Sequence, residues 1–253
     1  MEKGFEKKYH EIEEEHFWFK SRRNYIRKLL ANYPKDVSIL DIGCSSGILL
    51  DELKQDGFAV ENLYGVDISP IAIENCKKNG IDNAYVMNAQ HIDLQKKFDI
   101  VIASDCLEHL EDDKSALKNW NTLLATNGTI MVFVPAFMSL WSHHDKVNMH
   151  YRRYTLPELK TKMENTGFRI KKASFWNFFL FVPVYIFRKF ETKTKDTHHN
   201  TDGDLIEKPF GNYLLTQLIN FENKLLQVVN FPFGISVFCI AKKGASQKNK
   251  EDY

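Results

Sequence analysis

Ser38-Ile39-Leu40-Asp41-Ile42-Gly43-Cys44-Ser45-Ser46-Gly47 is the stretch whose reading decides the fold. The apolar run Val37 to Leu40 reads as a buried strand. It ends in an acid and a turn of small residues. Ile48-Leu49-Leu50-Asp51-Glu52-Leu53, behind the turn, reads as a helix start. Strand, glycine turn and helix is how an open α/β sheet builds a nucleotide site at the carboxyl end of its first strand. Gly43 and Gly47 carry no Cβ, so the backbone can turn tightly and a ligand can lie against it. The turn lacks the third glycine of Gly-x-Gly-x-x-Gly dinucleotide enzymes and the Lys-Ser/Thr of a phosphate loop.

The residues that follow keep the same register. Leu63-Tyr64-Gly65-Val66-Asp67 reads as a second strand, and Asp67 at its end can accept both ribose hydroxyls of a nucleoside. A third strand is expected at Ala84 to Met87 and a fourth at Phe98 to Ala103, which runs into Ser104-Asp105-Cys106-Leu107-Glu108-His109-Leu110. Asn127 to Val134 gives a turn and a fifth strand. Helices between them are marked by caps. Ser69-Pro70 opens one and Asn79-Gly80 closes it; Asp112 or Asp113 opens the next, with Leu117, Trp120 and Leu124 at core spacing; Thr155 precedes another. Gly167 to Ile170 starts a sixth strand, and Ile235 to Ala241 reads as the last.

Leu40 to Gly47, Gly65-Val66-Asp67-Ile68-Ser69, Phe98-Asp99-Ile100-Val101, Leu107-Glu108-His109-Leu110 and Asn127-Gly128-Thr129 together resemble a class I S-adenosylmethionine-dependent methyltransferase of the type 11 group. The resemblance covers residues 37 to 135, more weakly beyond. It implies a doubly wound, seven-stranded, mostly parallel sheet with an antiparallel last strand, and S-adenosylmethionine as cofactor, leaving S-adenosylhomocysteine. It implies cofactor contacts at Asp41, Gly43, Cys44, Gly47, Asp67, Ile68, Asn88, Ala89, Ser104 and His109. Where the family often has an Asp to accept from the adenine amino group, this chain has Asn88, whose amide oxygen can do the same without the charge.

The expected domains are a helical lid at 1–36, the core at 37–174, an aromatic and helical insertion at 175–233 with a polar loop at 191–208, the last strand at 234–243 and a tail at 244–253. Glu11 to Ala31 reads as a helix with Phe17, Trp18, Ile26, Leu29 and Leu30 on one face and Arg22, Arg23, Arg27 and Lys28 on others. It either packs on the sheet or covers the cofactor. His16-Phe17-Trp18-Phe19 with Arg22-Arg23 resembles the start of one methyltransferase subgroup, which supports a lid with Trp18 and Arg22 near the acceptor. Phe175 to Phe190 is aromatic but broken by Asn177 and Pro183, too short to span a bilayer. It is core of the insertion, or an apolar surface for a membrane or a greasy substrate, with Arg188 and Lys189 snorkelling. Gly211 to Val229 reads as amphipathic, with Leu214, Leu218, Phe221, Leu225 and Val229 near one stripe. His198-His199 in the polar loop reads as solvated.

The chain has 253 residues, 34 basic against 33 acidic, for a net charge of +1. No extended nucleic-acid footprint is expected from that balance. Cys44, Cys76, Cys106 and Cys239 form no Cys-x-x-Cys pair and read as buried free thiols. Met1 to Lys8 has no apolar signal core, so a cytoplasmic setting is expected, with peripheral membrane contact through 175–190 as the alternative.

The acceptor loop is the densest polar stretch: Trp141-Ser142-His143-His144-Asp145, then His150-Tyr151-Arg152-Arg153-Tyr154. The same methyltransferase subgroup carries a Trp-Ser-x-His-Asp segment followed by His-x-Arg-Arg-Tyr. That resemblance implies acceptor-site roles for Trp141, His144, Asp145, His150, Arg152, Arg153 and Tyr154. His144, oriented by Asp145 or a nearby acid, is the expected base, and the two arginines suggest an anionic acceptor. The alternative for the arginines is salt bridging to acids at the sheet end. His109 is either a further base or a packing group under the cofactor. His143, His144, Asp145 and His150 could ligate a metal but share no regular spacing, and no metal is expected. The acceptor is a small molecule, with a lipid-linked substrate as the alternative. A scaffold without turnover and an NAD-dependent dehydrogenase are the rivals; the missing third glycine counts against the latter.

Overall fold

A computed structural model describes residues 13–191 and 209–244. Seven strands form one sheet: β1 (Ile39–Ile42), β2 (Leu63–Asp67), β3 (Ala84–Val86), β4 (Phe98–Ser104), β5 (Leu124–Pro135), β6 (Phe168–Trp176) and β7 (Ser236–Lys243). Their order is 3-2-1-4-5-7-6. The first five pair in parallel, and β7 runs antiparallel between β5 and β6. The chain therefore reverses direction across the sheet between β1 and β4, where such folds leave a crevice at the strands' carboxyl ends.

Helices cover both faces, so the central strands are apolar on both sides. Alternate residues feed two cores. Leu40, Ile42, Val101, Ala103, Ile130 and Val132 pack with Leu117 and Trp120 of α4 (Asp113–Leu123). Ile39, Ile100, Ile102, Met131 and Phe133 pack with Tyr25, Ile26 and Leu30 of α1 (Phe17–Leu30) and with Leu50 and Leu53 of α2 (Ile48–Gln55). The expected caps are in place. Ser69 accepts from the Ala72 amide at the start of α3 (Pro70–Lys78), Asp112 accepts from Ser115, and Thr155 with Glu158 forms a capping box on α6 (Leu156–Glu164). All four cysteines are buried free thiols.

Three expectations change. First, of the two alternatives for α1 its apolar face lies on the sheet, and Arg22 and Arg23, expected on other faces than the apolar one, are 3% and 7% exposed. They can be buried because partners come with them. Arg23 reaches Glu52 at 3.0 Å and the Glu13 and Glu14 carbonyls at 2.8 and 2.7 Å. Second, the insertion starts later than 175, since Phe175 and Trp176 pair with Val237 and Ser236 inside the sheet. Beyond it lie α7 (Phe181–Glu191) and α8 (Pro209–Leu225). Third, the Leu214, Leu218, Phe221 and Val229 stripe faces outward, while Thr216, Ile219, Glu222, Asn223 and Leu226 are buried. The polar members of that inner face serve as ties: Asn223 accepts from Trp176 Nε1 and donates to the Ser21 carbonyl, and Glu222 accepts from the Phe179 amide. The polar loop with His198 and His199, the first twelve residues and the tail from 245 lie outside the described residues.

Candidate active site

The crevice begins at the glycine turn. Gly43 and Cys44 both donate to the Val66 carbonyl, at 2.8 and 3.1 Å, folding the turn against β2. Gly43 and Gly47 each have φ of +74°, a conformation open to glycine at little cost. A Cβ on Gly47 would sit 2.8 Å from Cys76 Sγ. Asp67 accepts from the Ser45 and Ser69 amides at 3.0 and 2.9 Å, which sets its carboxylate at the mouth of the turn. Asp41 is buried, and that burial, with Glu13 and Asp67 adding, pushes its pKa up to about 7. Beside Asp67, Ile68 is 72% exposed. Asn88 Oδ1 accepts from the Gln90 amide, and the Ala89 carbonyl accepts from Trp120 Nε1. The Asn88 oxygen expected to meet adenine thus closes a local turn.

Across the crevice, Arg22 Nη1 donates to Ser104 Oγ at 3.0 Å and pairs with Asp105. Its guanidinium lies 4.9 Å from the Trp176 ring centre and 5.4 Å from that of Trp18. Arg22 Nε and Nη2 are buried without a hydrogen-bond partner. The adjacent Asp105 takes φ of +51°, uncommon for a residue with a side chain.

The acceptor loop is arranged differently from its sequence reading. Asp145 sits in α5 (His143–Val147) with its carboxylate fully buried. It accepts from the Ser142 amide at 2.8 Å and from Arg153 Nε and Nη2 at 2.7 and 3.0 Å, a bidentate pair. His150 Nδ1 lies 2.9 Å from Asp145 Oδ1. Burial alone would raise the Asp145 pKa; the bonds from His150 and Arg153 outweigh it and hold the carboxyl well below the usual range. The acid therefore orients His150, and His144 is exposed on the surface of the short helix, its ring centre 6.3 Å from that of His150. Trp141 is half-buried just ahead of that helix.

The two arginines do not form a joint anion clamp. Arg153 is spent on Asp145, while Arg152 reaches Asp113 at 3.0 Å and the Glu111 carbonyl at 2.6 Å. Tyr154 is wholly buried, its hydroxyl 3.0 Å from Asp113. Direct acceptor contact by Arg153 and Tyr154 is thus corrected: both are structural ties under the loop, because Asp145 and Asp113 lie in the core within their reach.

One residue was passed over in the sequence. Glu108, inside the Leu107 to Leu110 motif, is fully buried, and neither carboxylate oxygen has a hydrogen-bond partner. Burial and the neighbouring Asp105 push its pKa well above the usual carboxylate range; its own backbone N–H, Arg22 and Arg153 offset this in part. His109 and His150 meet edge to face at 4.5 Å between ring centres. Glu108, His109 and His150 each turn one donor atom into a common space, all within 4.8 Å of one another. Burial, then His150, lowers the His109 pKa to about 4 against the pull of Asp105. A signal existed in the sequence, an acid next to a histidine straight after a strand, but His150 lies 41 positions further on than His109 and only folding joins them. A wide polar cavity of about 620 Å³ between α1 and α8, lined by Asn24, Arg27 and Gln217, touches none of these residues.

The strand order, the antiparallel seventh strand and a glycine turn facing an acid on β2 define a class I S-adenosylmethionine-dependent methyltransferase fold. A family model described as a methyltransferase domain matches residues 10–173, and the chain belongs to that family. The chain is 29% identical over 122 residues to a ubiquinone biosynthesis O-methyltransferase of Haemophilus ducreyi, covering 44% of this chain and 50% of that one. It is 29% identical over 162 residues to a ribosomal protein L11 methyltransferase of Clostridium botulinum, covering 59% and 44%. The chain thus spans about half the length of the curated relatives it matches. Among solved structures, a SAM dependent methyltransferase from Archaeoglobus fulgidus superposes with a TM-score of 0.54 at 21% identity, over 88% of this chain and 94% of that one. The plantazolicin methyltransferase BamL, solved with a triazolic desmethylPZN analog and SAH, gives 0.57 at 20% identity, over 89% and 86%.

The residues present fit S-adenosylmethionine. The turn at Gly47 has no room for a Cβ, Asp67 ends β2 with its carboxylate at the mouth of that turn, exposed Ile68 offers an apolar flank, and Arg22 has two buried donor nitrogens without partners.

Proposed function

We propose that the protein transfers a methyl group from S-adenosylmethionine to a hydroxyl of a small acceptor, seated at the carboxyl end of β4 against Glu108, His109 and His150. The observation that carries this is the His150–Asp145 pair, at 2.9 Å, on the loop after β5. The bound cofactor supplies an electrophilic methyl carbon on a sulfonium. An amine can attack such a carbon from its lone pair, whereas a hydroxyl gains most from a group that takes its proton. Asp145 fixes the His150 ring through Nδ1 and leaves the other nitrogen for that proton. Arg153 holds Asp145 in place from behind. Asp67 accepts the ribose hydroxyls, and Arg22 is in reach of an anionic part of either ligand. Trp18, Phe133 and Trp176 wall the Arg22 side and exclude water.

Calorimetry tests the cofactor half. S-Adenosylhomocysteine is expected to bind at one per chain and NAD not at all. Asp67→Ala should weaken binding by about 1.5–3 kcal/mol, the usual value of hydrogen bonds to a charged group. Equal affinity in the variant would remove Asp67 from the ribose role. Methyl-labelled cofactor offered with matched hydroxyl and amine acceptors tests the other half; label on the amine alone would overturn the hydroxyl reading.

A lipid-linked acceptor is a second reading, favoured by one observation. Val182, Tyr185, Ile186 and Phe187 on α7 and Phe210, Tyr213, Leu214 and Phe221 on α8 are all exposed. No helix among the described residues is long and apolar enough to cross a membrane. An interfacial contact would bury these side chains at the head-group boundary, helped by exposed Lys189; Arg188, expected to snorkel, instead turns to the Leu140 carbonyl. The protein should then sediment with anionic vesicles at low salt, and Lys189→Glu should weaken this. Protein left wholly in the supernatant would sink this reading.

A further inference from the structure

We propose that Glu108, His109 and His150 hold a divalent first-row transition-metal ion beside the acceptor position. The inference rests on the methyltransferase reading above and changes one role in it: with the ion bound, the free nitrogen of His150 would be a ligand rather than the proton acceptor, and the ion would bind the acceptor's hydroxyl oxygen and ease loss of its proton to solvent.

Glu108 is a fully buried carboxyl that nothing among the described residues satisfies, both its oxygens being unpartnered. An ionised carboxylate in that state is costly unless something positive meets it. Of the two guanidiniums nearby, Arg153 is committed to Asp145, and Arg22 pairs with Asp105 through Nη1, while neither makes a hydrogen bond to a Glu108 oxygen. What faces Glu108 instead is a pair of imidazoles. Their donor atoms and the Glu108 oxygen lie within 4.8 Å of one another. Ligands about 2.0–2.2 Å from one ion sit roughly 3–3.5 Å apart, so the three need only close by about 1–2 Å, within reach of small side-chain rotations.

The surroundings are those of ligating histidines. A metal-bound imidazole commonly gives its other N–H to a carboxylate or a backbone carbonyl, which fixes tautomer and orientation. Here Asp145 takes Nδ1 of His150, while the Asn148 backbone lies beside the His109 ring. The backbone locks the two loops together as well: the Tyr151 amide donates to the Glu108 carbonyl at 2.8 Å, and the His150 amide to the Asp145 carbonyl at 2.9 Å. Two nitrogens and one carboxylate suit zinc, cobalt or manganese better than magnesium or calcium, which favour oxygen throughout. Three protein ligands leave positions open, as catalytic rather than structural sites do. Such an ion would favour an acceptor with one or two neighbouring hydroxyl oxygens. The sequence reading missed this set because it sought ligands within the acceptor loop, whereas two of the three come from the turn after β4.

The test uses the full chain, freed of metal with a chelator and titrated with cobalt(II) by calorimetry and visible absorption. One tight equivalent is expected, with a ligand-field band that reports nitrogen ligation. His109→Ala and His150→Ala should each abolish it, and Asp145→Asn should weaken it about 10- to 100-fold. His143→Ala, on the exposed side of α5, should leave it intact. Glu108→Gln keeps the shape of the buried side chain while removing its charge, and should lose the site with its circular dichroism unchanged. The inference is overturned by the absence of a saturable equivalent, or by one that survives loss of both histidines. S-Adenosylhomocysteine titrated into the metal-free protein separates the two readings. Binding there without any cobalt site sinks the metal alone, whereas no binding sinks the methyltransferase reading.

Discussion

Arg153→Ala is expected to cost about 3–5 kcal/mol of folding stability, the range for leaving a buried charge without its partner. Arg153 and Asp145 have side chains 2% and 0% exposed. The guanidinium holds both carboxylate oxygens and also donates to the Ala136 carbonyl at 3.1 Å. Removing it strands Asp145, the Ala136 carbonyl and, through Asp145, His150. Urea unfolding checks this as a fall in midpoint at unchanged slope. A loss under about 1 kcal/mol would mean that water replaces the arginine freely and the pair is not a structural tie. Arg153→Met combined with Asp145→Leu should cost less than the two single changes summed, because no orphaned charge remains. The acceptor-binding role implied by the sequence predicts the reverse pattern: near-normal stability and a raised KM for an anionic substrate.

That contrast locates what could be read in advance. The sheet was legible because it rests on local signals. Alternation at Ile100-Val101-Ile102-Ala103 splits cleanly between the two cores, and Ser69-Pro70, Asp112 and Thr155 cap the helices they precede. The glycine turn and the acid facing it were legible for the same reason, since Gly43 and Asp67 lie at strand ends and Gly47 at a helix start that the pattern fixes. The acceptor side was legible as a cluster and not as an arrangement. The periodicity put Arg22 and Arg23 off the apolar face of α1, yet both are buried because acids and carbonyls from Glu13, Glu14, Glu52 and Asp105 meet them there. Asp145 is next to His144 in sequence, but on a one-turn helix capped by Ser142 its carboxylate points inward, to His150 and Arg153. Glu108 gives no outward sign of being unpaired, since the pairing depends on residues more than forty positions away.

His150→Ala is expected to lower turnover by about 100- to 10,000-fold, the range for losing a positioned proton acceptor, while cofactor affinity stays almost unchanged. The side chain is 9% exposed, held by Asp145 on one side and against the His109 ring on the other. Its contacts are with the acceptor loop and with the turn after β4, not with the glycine turn or Asp67. His144→Ala should lie within a few-fold of the parent, because the ring is exposed and the buried acid is committed to its neighbour. The comparison needs a hydroxyl acceptor found with labelled cofactor, then kcat and KM for both variants. Equal turnover in His150→Ala and the parent would show that alignment of the acceptor alone suffices. A large loss in His144→Ala with His150→Ala intact would return the base to the exposed histidine, and the Asp145 pairing would then be purely structural. The expected order holds whether His150 takes the proton itself or acts through a cation, since either role requires the imidazole where Asp145 holds it.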